Sequence, residues 1–161
     1  MTVDKVISRG QSGVDQAALR AAVRLGIATG GWAPRGYMTF EGPKPDLLRG
    51  YGLVVLSGGY AQRTEQNVRG SDGTLRIASN FKSAGEKLTK LMTLEHKKPR
   101  FDVLVDDDWR SNDETRAEAT RAARAWLRQY HVRILNVAGN SETTSSGIGA
   151  VAEAFLYDVL R

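Results

Sequence analysis

Four short stretches rich in glycine and hydroxyl residues carry most of the chemistry available to this chain. They are Gly10-Gln11-Ser12-Gly13, Gly30-Gly31, Ser83-Ala84-Gly85 and Gly139-Asn140-Ser141, the last running on to Ser145-Ser146-Gly147. Each is expected just after a strand, and each opens or abuts a helix. Helix N-termini present unpaired amides and partial positive charge, and glycine lets an anion approach the backbone. One such loop is commonplace in α/β chains, whereas several on one sheet edge point to a phosphate-bearing ligand. Neither standard phosphate motif is present. There is no Walker A loop, and Gly10-x-x-Gly13 lacks the third glycine of a dinucleotide fingerprint. Ordinary dehydrogenase or ATPase chemistry is therefore not expected.

The acids that could reach the same edge are Asp15, Glu65, Asp72 and the run Asp106-Asp107-Asp108. Blander roles are open to them: Asp15 can simply favour a helix N-terminus, and the triple aspartate can form a solvated turn. His96 and His131 both precede strands, at the opposite edge, so no histidine general base is expected. Arg116, Arg121, Arg124 and Arg128 read as one solvated helix face.

The elements that must position these residues alternate. Strands are expected at Val3–Ser8, Ile27–Trp32 (broken at Gly30-Gly31), Leu53–Leu56, Thr74–Ala78, Phe101–Val105 and Val132–Ala138. Helices are expected at Val14–Leu25 with Gly26 as C-cap, Gly59–Arg69, Gly85–His96 with Leu88, Leu91 and Met92 inward, Asn112–Tyr130 and Gly147–Leu160. Residues 33–50 hold three of the four prolines and read as a structured loop. Short connections between alternating strands and helices imply an α/β, doubly wound, mostly parallel Rossmann-like sheet with helices on both faces. Its ligand crevice belongs at the carboxyl ends of the strands. The whole chain, 1–161, reads as a single domain.

Composition narrows the function further. With 161 residues and 41% hydrophobic content, the chain can close one ordinary core. No cysteine is present, which excludes disulfides, thiolate metal sites and cysteine nucleophiles, and two histidines suggest no imidazole metal centre. No metal site is expected. The absence of a signal segment or a long apolar run gives a soluble, cytoplasmic expectation, without a membrane partner. Net charge is +5, but the basic residues are spread over several helices and no reading-helix or stacking motif accompanies them. Nucleic acid is not the expected partner.

Gly10-Gln11-Ser12-Gly13-Val14-Asp15-x-Ala17-Ala18-Leu19 resembles the GQTGVDRAAL opening of the family named "putative molybdenum carrier". The likeness continues through Gly30-Gly31-Trp32-x-Pro34-Arg35-Gly36 and Tyr60-x-x-Arg63-Thr64-Glu65-x-Asn67-Val68-Arg69. It ends with Ser71-Asp72-Gly73-Thr74-Leu75 and Leu135-Asn136-Val137-Ala138-Gly139. The motifs cover nearly the whole chain in order. The family belongs with the Rossmann-like group that includes lysine-decarboxylase-like proteins and cytokinin-activating phosphoribohydrolases.

The resemblance implies a carrier or sensor for a nucleotide-derived or molybdopterin-type ligand, molybdenum cofactor or a nucleotide, in a homo-oligomer. The positions it marks are Gly10, Gln11, Ser12, Gly13, Asp15, Gly31, Pro34, Arg63, Glu65, Asp72, Gly73 and Thr74. The helix-opening loops add Ser83, Gly85 and Gly139 as ligand contacts. Arg9 stands where glycine is usual and could add a charge for phosphate. Ala33 replaces a common cysteine, and Asn140 a common proline. The phosphoribohydrolases use PGGxGTxxE, whose glutamate helps cleave an N-glycosidic bond. Here Thr89 stands at that glutamate and Glu86 at the threonine, which would need most of a helical turn to substitute. This weakens the alternative reading, a nucleoside-monophosphate hydrolase using Glu65, Asp72 or Glu86. The first loop, with Gly13 close to the anion, is expected to be the main phosphate anchor.

Overall fold

In the computed structural model, which describes residues 3–161, a run of alanines sets how closely the first layers pack. β1 (Lys5–Ile7) leads through the Gly10–Gly13 loop into α1 (Val14–Arg24), where Ala17, Ala18, Ala21 and Ala22 are fully buried. A face without side-chain bulk brings the helix close to the sheet and to its helical neighbours. Gly26 follows at φ +71°, a left-handed position that glycine takes at least cost. β2 (Ala28–Ala33) passes through Gly30 and Gly31 without the expected break. At Gly31, φ is +130° and a Cβ would overlap the Ser8 backbone. This glycine lets two chain segments meet and does not form a ligand loop.

The proline-bearing segment is more built than a loop. It holds a 3-10 turn at Arg35–Tyr37, a hairpin of β3 (Met38–Thr39) and β4 (Gly42–Pro43), and α2 (Pro45–Gly50) opening on Pro45. Beyond it lie β5 (Leu53–Val55), α3 (Tyr60–Arg69), β6 (Gly73–Ala78), α4 (Ala84–Glu95) and β7 (Arg100–Leu104). α5 (Asp107–Ser111), α6 (Asp113–Gln129), β8 (Ile134–Gly139) and α7 (Ile148–Leu160) complete the chain. The triple aspartate opens α5, with the Asp106 carboxylate accepting the Trp109 amide at 2.9 Å.

Six strands pair in parallel in the order β5-β2-β1-β8-β6-β7. Counted from β8, strands run outward in sequence order on both sides: β1, β2, β5 one way and β6, β7 the other. This is the doubly wound, Rossmann-like sheet expected. α7 packs on α1 and α6, whereas α4 packs on α3. The chain thus leaves the adjacent strands β8 and β6 toward opposite faces, and such a parting opens a crevice at the carboxyl ends.

Side-chain alternation gives the two faces different chemistry. Leu75, Ile77, Leu135 and Val137 join Trp109, Trp126, Phe155 and Leu156 in the main apolar cluster. Thr74, Arg76 and Asn136 point the other way and are also buried. Asn136 donates to Thr74 Oγ1 at 3.1 Å, and Arg76 donates twice to the Asp102 carboxylate and once to the Glu86 carbonyl, each at 2.7 Å. α4 accordingly turns Glu86, Thr89 and Thr93 inward. Leu91, expected inward, is 47% exposed, and Leu88 and Met92 are half-buried. A polar strand face requires a polar helix face, since buried donors need acceptors.

Candidate functional site

The crevice beyond β8 and β6 holds a cleft of about 150 Å³. Its lining comes from each neighbouring strand end: Arg9 and Gln11 after β1, Gly139, Asn140 and Ser141 after β8, and Ser83, Gly85 and Glu86 at the α4 start. Tyr60 and Arg63 of α3, with Pro34 after β2 and Phe40 of the β3–β4 hairpin, complete the lining. A larger groove, about 550 Å³, is lined only by residues of α5, α6 and α7. It draws nothing from the strand-end loops, so the smaller cleft is the candidate site.

The helix starts at this edge differ in what their amides already hold. In the first loop, Gln11 donates to Asp15 Oδ2 at 3.2 Å, Ser12 to Gln11 Oε1 at 3.0 Å and Val14 to the Asn140 carbonyl at 3.1 Å. At α7 the Glu142 carboxylate accepts the amides of Gly147 at 3.0 Å and Gly149 at 2.8 Å, so the protein supplies its own anion there. The Gly59 amide before α3 donates to the Gln62 side chain. At α4 the Ser83 hydroxyl accepts the Glu86 amide at 3.2 Å, while the amides of Ala84 and Gly85 meet no acceptor among the described residues. Free amides at a helix start that lines a cleft can hold an oxyanion.

Two arginines stand over this start. Arg9 donates to the Tyr60 hydroxyl at 2.6 Å and lies 3.5 Å from Asp15 Oδ2. Arg63 donates to the Gly58 carbonyl at 3.2 Å and pairs with no carboxylate among the described residues. Both guanidinium groups lie near the Tyr60 ring, at 5.5 and 5.7 Å from its centroid. Burial, joined by the like charge of Arg9, lowers the Arg63 pKa. Burial acts the same way on Arg9, but Asp15 first, then Tyr60 and Glu86, outweigh it and raise that pKa. An unpaired guanidinium beside a second one is a site that an anion would relieve.

Two buried carboxyls lie below. Burial raises the Asp15 pKa against the pull of Arg9 and the Gln11 amide. Burial also pushes Glu86 up to about 7, with Arg9 and Arg76 opposing and Asp15 and Asp102 reinforcing. Asp15 Oδ1 and Glu86 Oε2 have no hydrogen-bond partner among the described residues.

The cleft gathers Gln11, Pro34, Arg63, Ser83, Gly85 and Gly139 from the sequence-predicted positions, together with Arg9. Others serve the fold. Gly10 packs on Leu48 and Leu53, and the Ser12 hydroxyl accepts the Glu142 amide at 3.4 Å. Gly13, at φ +82°, has a structural requirement of its own, since a Cβ would overlap the Asn140 carbonyl. Asp15 sits under Arg9. Glu65 pairs with His96, 3.1 Å away beyond the far end of α4. Asp72 accepts the amides of Arg133 at 3.0 Å and Ile134 at 2.8 Å, which puts it, with Gly73 and Thr74, at the amino edge, opposite the cleft. Gly73 is small there because Trp126 and Val132 fill the space. Glu86 lines the cleft after all, and Thr89 donates to the Gly85 carbonyl at 3.0 Å. Tyr60, Phe40 and Thr144 were not foreseen, and Ser141 was singled out only as part of the loop after the last strand. Tyr60 was findable, since it stands three residues before Arg63 on one helix face.

A doubly wound parallel sheet with an arginine-lined cleft at its switch point defines a Rossmann-like α/β domain. The chain belongs to the Circularly permutated YpsA SLOG family, which it matches over residues 6–160. The chain is also similar to the crystal structure of a protein from Syntrophus aciditrophicus SB named "putative molybdenum carrier protein". The two share 32% identity and a TM-score of 0.87, covering 99% of this chain and 96% of that one. No curated protein matches this chain. Among the described residues, no helix is long and apolar enough to cross a membrane, and no group of three or more His, Asp or Glu is placed to hold a metal ion.

Proposed function

We propose that this protein binds, as carrier or sensor, a nucleotide-derived or molybdopterin-type ligand through its phosphate, seated on the α4 start between Arg9 and Arg63. The unpaired Arg63 beside the free α4 amides carries the reading. The name of the crystallographic neighbour, "putative molybdenum carrier protein", supports the same class of ligand. Phe40 and Tyr60, 68% and 49% exposed at the rim, offer flat faces to a heterocyclic ring. The donor set fits the phosphate of a molybdenum cofactor and not its metal. The chain has no cysteine, and no metal-ligating cluster lies among the described residues. Arg9, Arg63 and the α4 amides would hold the group, and the metal would stay on the group's own atoms. We extend the proposal to a homo-oligomer, in which a second copy would cover the exposed Leu91 and Leu94 of α4.

Titration with AMP as the probe tests the site. A charge-assisted contact to phosphate contributes about 1.5–3 kcal/mol, so Arg63→Gln should weaken AMP binding roughly tenfold to a hundredfold. Unchanged affinity in a folded Arg63→Gln protein would remove the cleft from consideration. Native mass spectrometry of fresh protein then identifies the natural ligand. A second reading, N-glycoside hydrolysis, has one observation in its favour: Glu86 reaches the cleft with a pKa suited to general acid work. Base release from AMP that disappears in Glu86→Gln would favour it over carriage.

A further inference from the structure

An anion on the α4 start would lie beside Glu86, and an ionised carboxylate is the wrong neighbour for it. Glu86 is the third residue of α4, lines the cleft with Ser83 and Gly85, and is 2% exposed. Its Oε2 has no hydrogen-bond partner among the described residues. The charged groups facing it come from every surrounding element. Arg76 of β6 lies 3.8 Å from Oε2, but its Nε and NH2 are already engaged by Asp102 of β7, which Arg100 also reaches. Arg9, from the loop after β1, is shared with Asp15 of α1 and with Tyr60 of α3, and Arg63 stands beyond Tyr60. Neither Arg9 nor Arg76 is therefore Glu86's own counter-ion.

Resting on the anion site proposed above, we infer that Glu86 is a ligand-binding residue that acts as a carboxylic acid, donating a hydrogen bond to an oxyanion oxygen. Each anion bound above neutral pH then carries one proton into the protein. A carboxylate can only accept, and would repel the ligand. A protonated carboxyl offers the O–H donor that the anion needs. Burial already brings the group to about 7, and a bound negative charge favours the protonated form further. The proton balance is simple: the buffer acid gives up one proton and is left as its conjugate base, Glu86 gains that proton as an O–H, and no other bond changes.

Sulfate is the probe, because it carries two charges and no proton of its own across the range used. Calorimetry of the full chain in buffers of different ionisation enthalpy counts protons taken up per sulfate bound. The count should be near zero at about pH 6 and approach one at about pH 8, with affinity falling by up to about tenfold per pH unit above 7. Glu86→Gln should flatten this dependence, and His96→Gln, which alters the other end of α4, should leave it intact. Infrared difference spectra of the wild type at about pH 8 should gain a protonated-carboxyl C=O band on sulfate addition, a readout that needs no variant. Sulfate binding without proton uptake or without that band overturns the inference and leaves the anion site standing. Flattening by Asp15→Asn or His96→Gln, with Glu86→Gln unaffected, also overturns it. Failure of both sulfate and AMP to bind at any pH overturns the anion site itself.

Discussion

Burial lifts the Glu86 carboxyl to about 7 from the 4.5 of an exposed glutamate, so the unfolded chain releases this proton at lower pH than the folded one. Below both values the two states are protonated and the group costs nothing. As pH rises from 4.5 toward 7 the unfolded state gains its ionised form and the folded state does not, so stability falls. Above 7 both are ionised and the loss levels off at about 3 kcal/mol. Asp15, raised by burial, adds to the same trend. Asp102 acts oppositely at the acid end. Burial pushes its pKa up, but the hydrogen bonds and charge of Arg76 and Arg100 prevail and lower it, so its contribution disappears as pH falls through its folded value. Urea unfolding at about pH 5 and about pH 8 should show the difference between Glu86→Gln and wild type moving in favour of the variant by about 2.5 kcal/mol. A difference independent of pH would contradict burial as the cause. The sequence offered Glu86 only as an ill-placed substitute for Thr89. What it could not show is Arg76, whose position in a strand reads as exposed while it lies buried under α4 and fixes that helix's rotation.

Gly13 shows how the elements meet. Its Cβ position is filled by the Asn140 carbonyl and the Ser141 backbone, at the junction of α1 with the loop after β8. Gly13→Val therefore combines a backbone clash with a disallowed φ and should cost more than about 3 kcal/mol, seen as a large drop in thermal midpoint. Sequence reasoning tied this glycine to a bound anion, which predicts lost binding in place of a lost fold, because glycine after a strand is the same signal for either cause. A folded Gly13→Val protein that only fails to bind AMP would restore that expectation. The principal strands and helices were legible from periodicity and glycine stops, within a residue or two at most ends. The β3–β4 hairpin and α2 were not, since two-residue strands carry no period to read. Asp72, Gly73 and Thr74 were drawn to the wrong edge because polar residues at the two ends of a strand look alike.

The whole molecule is organised around β8, which pairs with β1 on one side and β6 on the other. Val3, Leu160 and Arg161 line one small cavity, so the start of β1 and the end of α7 lie side by side. A rearranged chain, with β8 and α7 placed ahead of β1 through a short linker, should therefore fold to the same sheet. It should bind AMP with unchanged affinity by the same titration. Loss of binding with the fold preserved would mean that the native order of segments holds the cleft in shape. The order also matters before folding is complete. β1 and β6 leave the ribosome well ahead of the strand that separates them. At roughly 5–20 residues per second, the chain between Ala78 and Ile134 occupies several seconds of synthesis, during which both facing edges are unpaired. Two open edges on a nascent chain invite pairing with a neighbour on the same message, and favour early capture by chaperones. Translation in the rearranged order would instead lay down the centre of the sheet first and add each flanking strand to an edge already waiting for it.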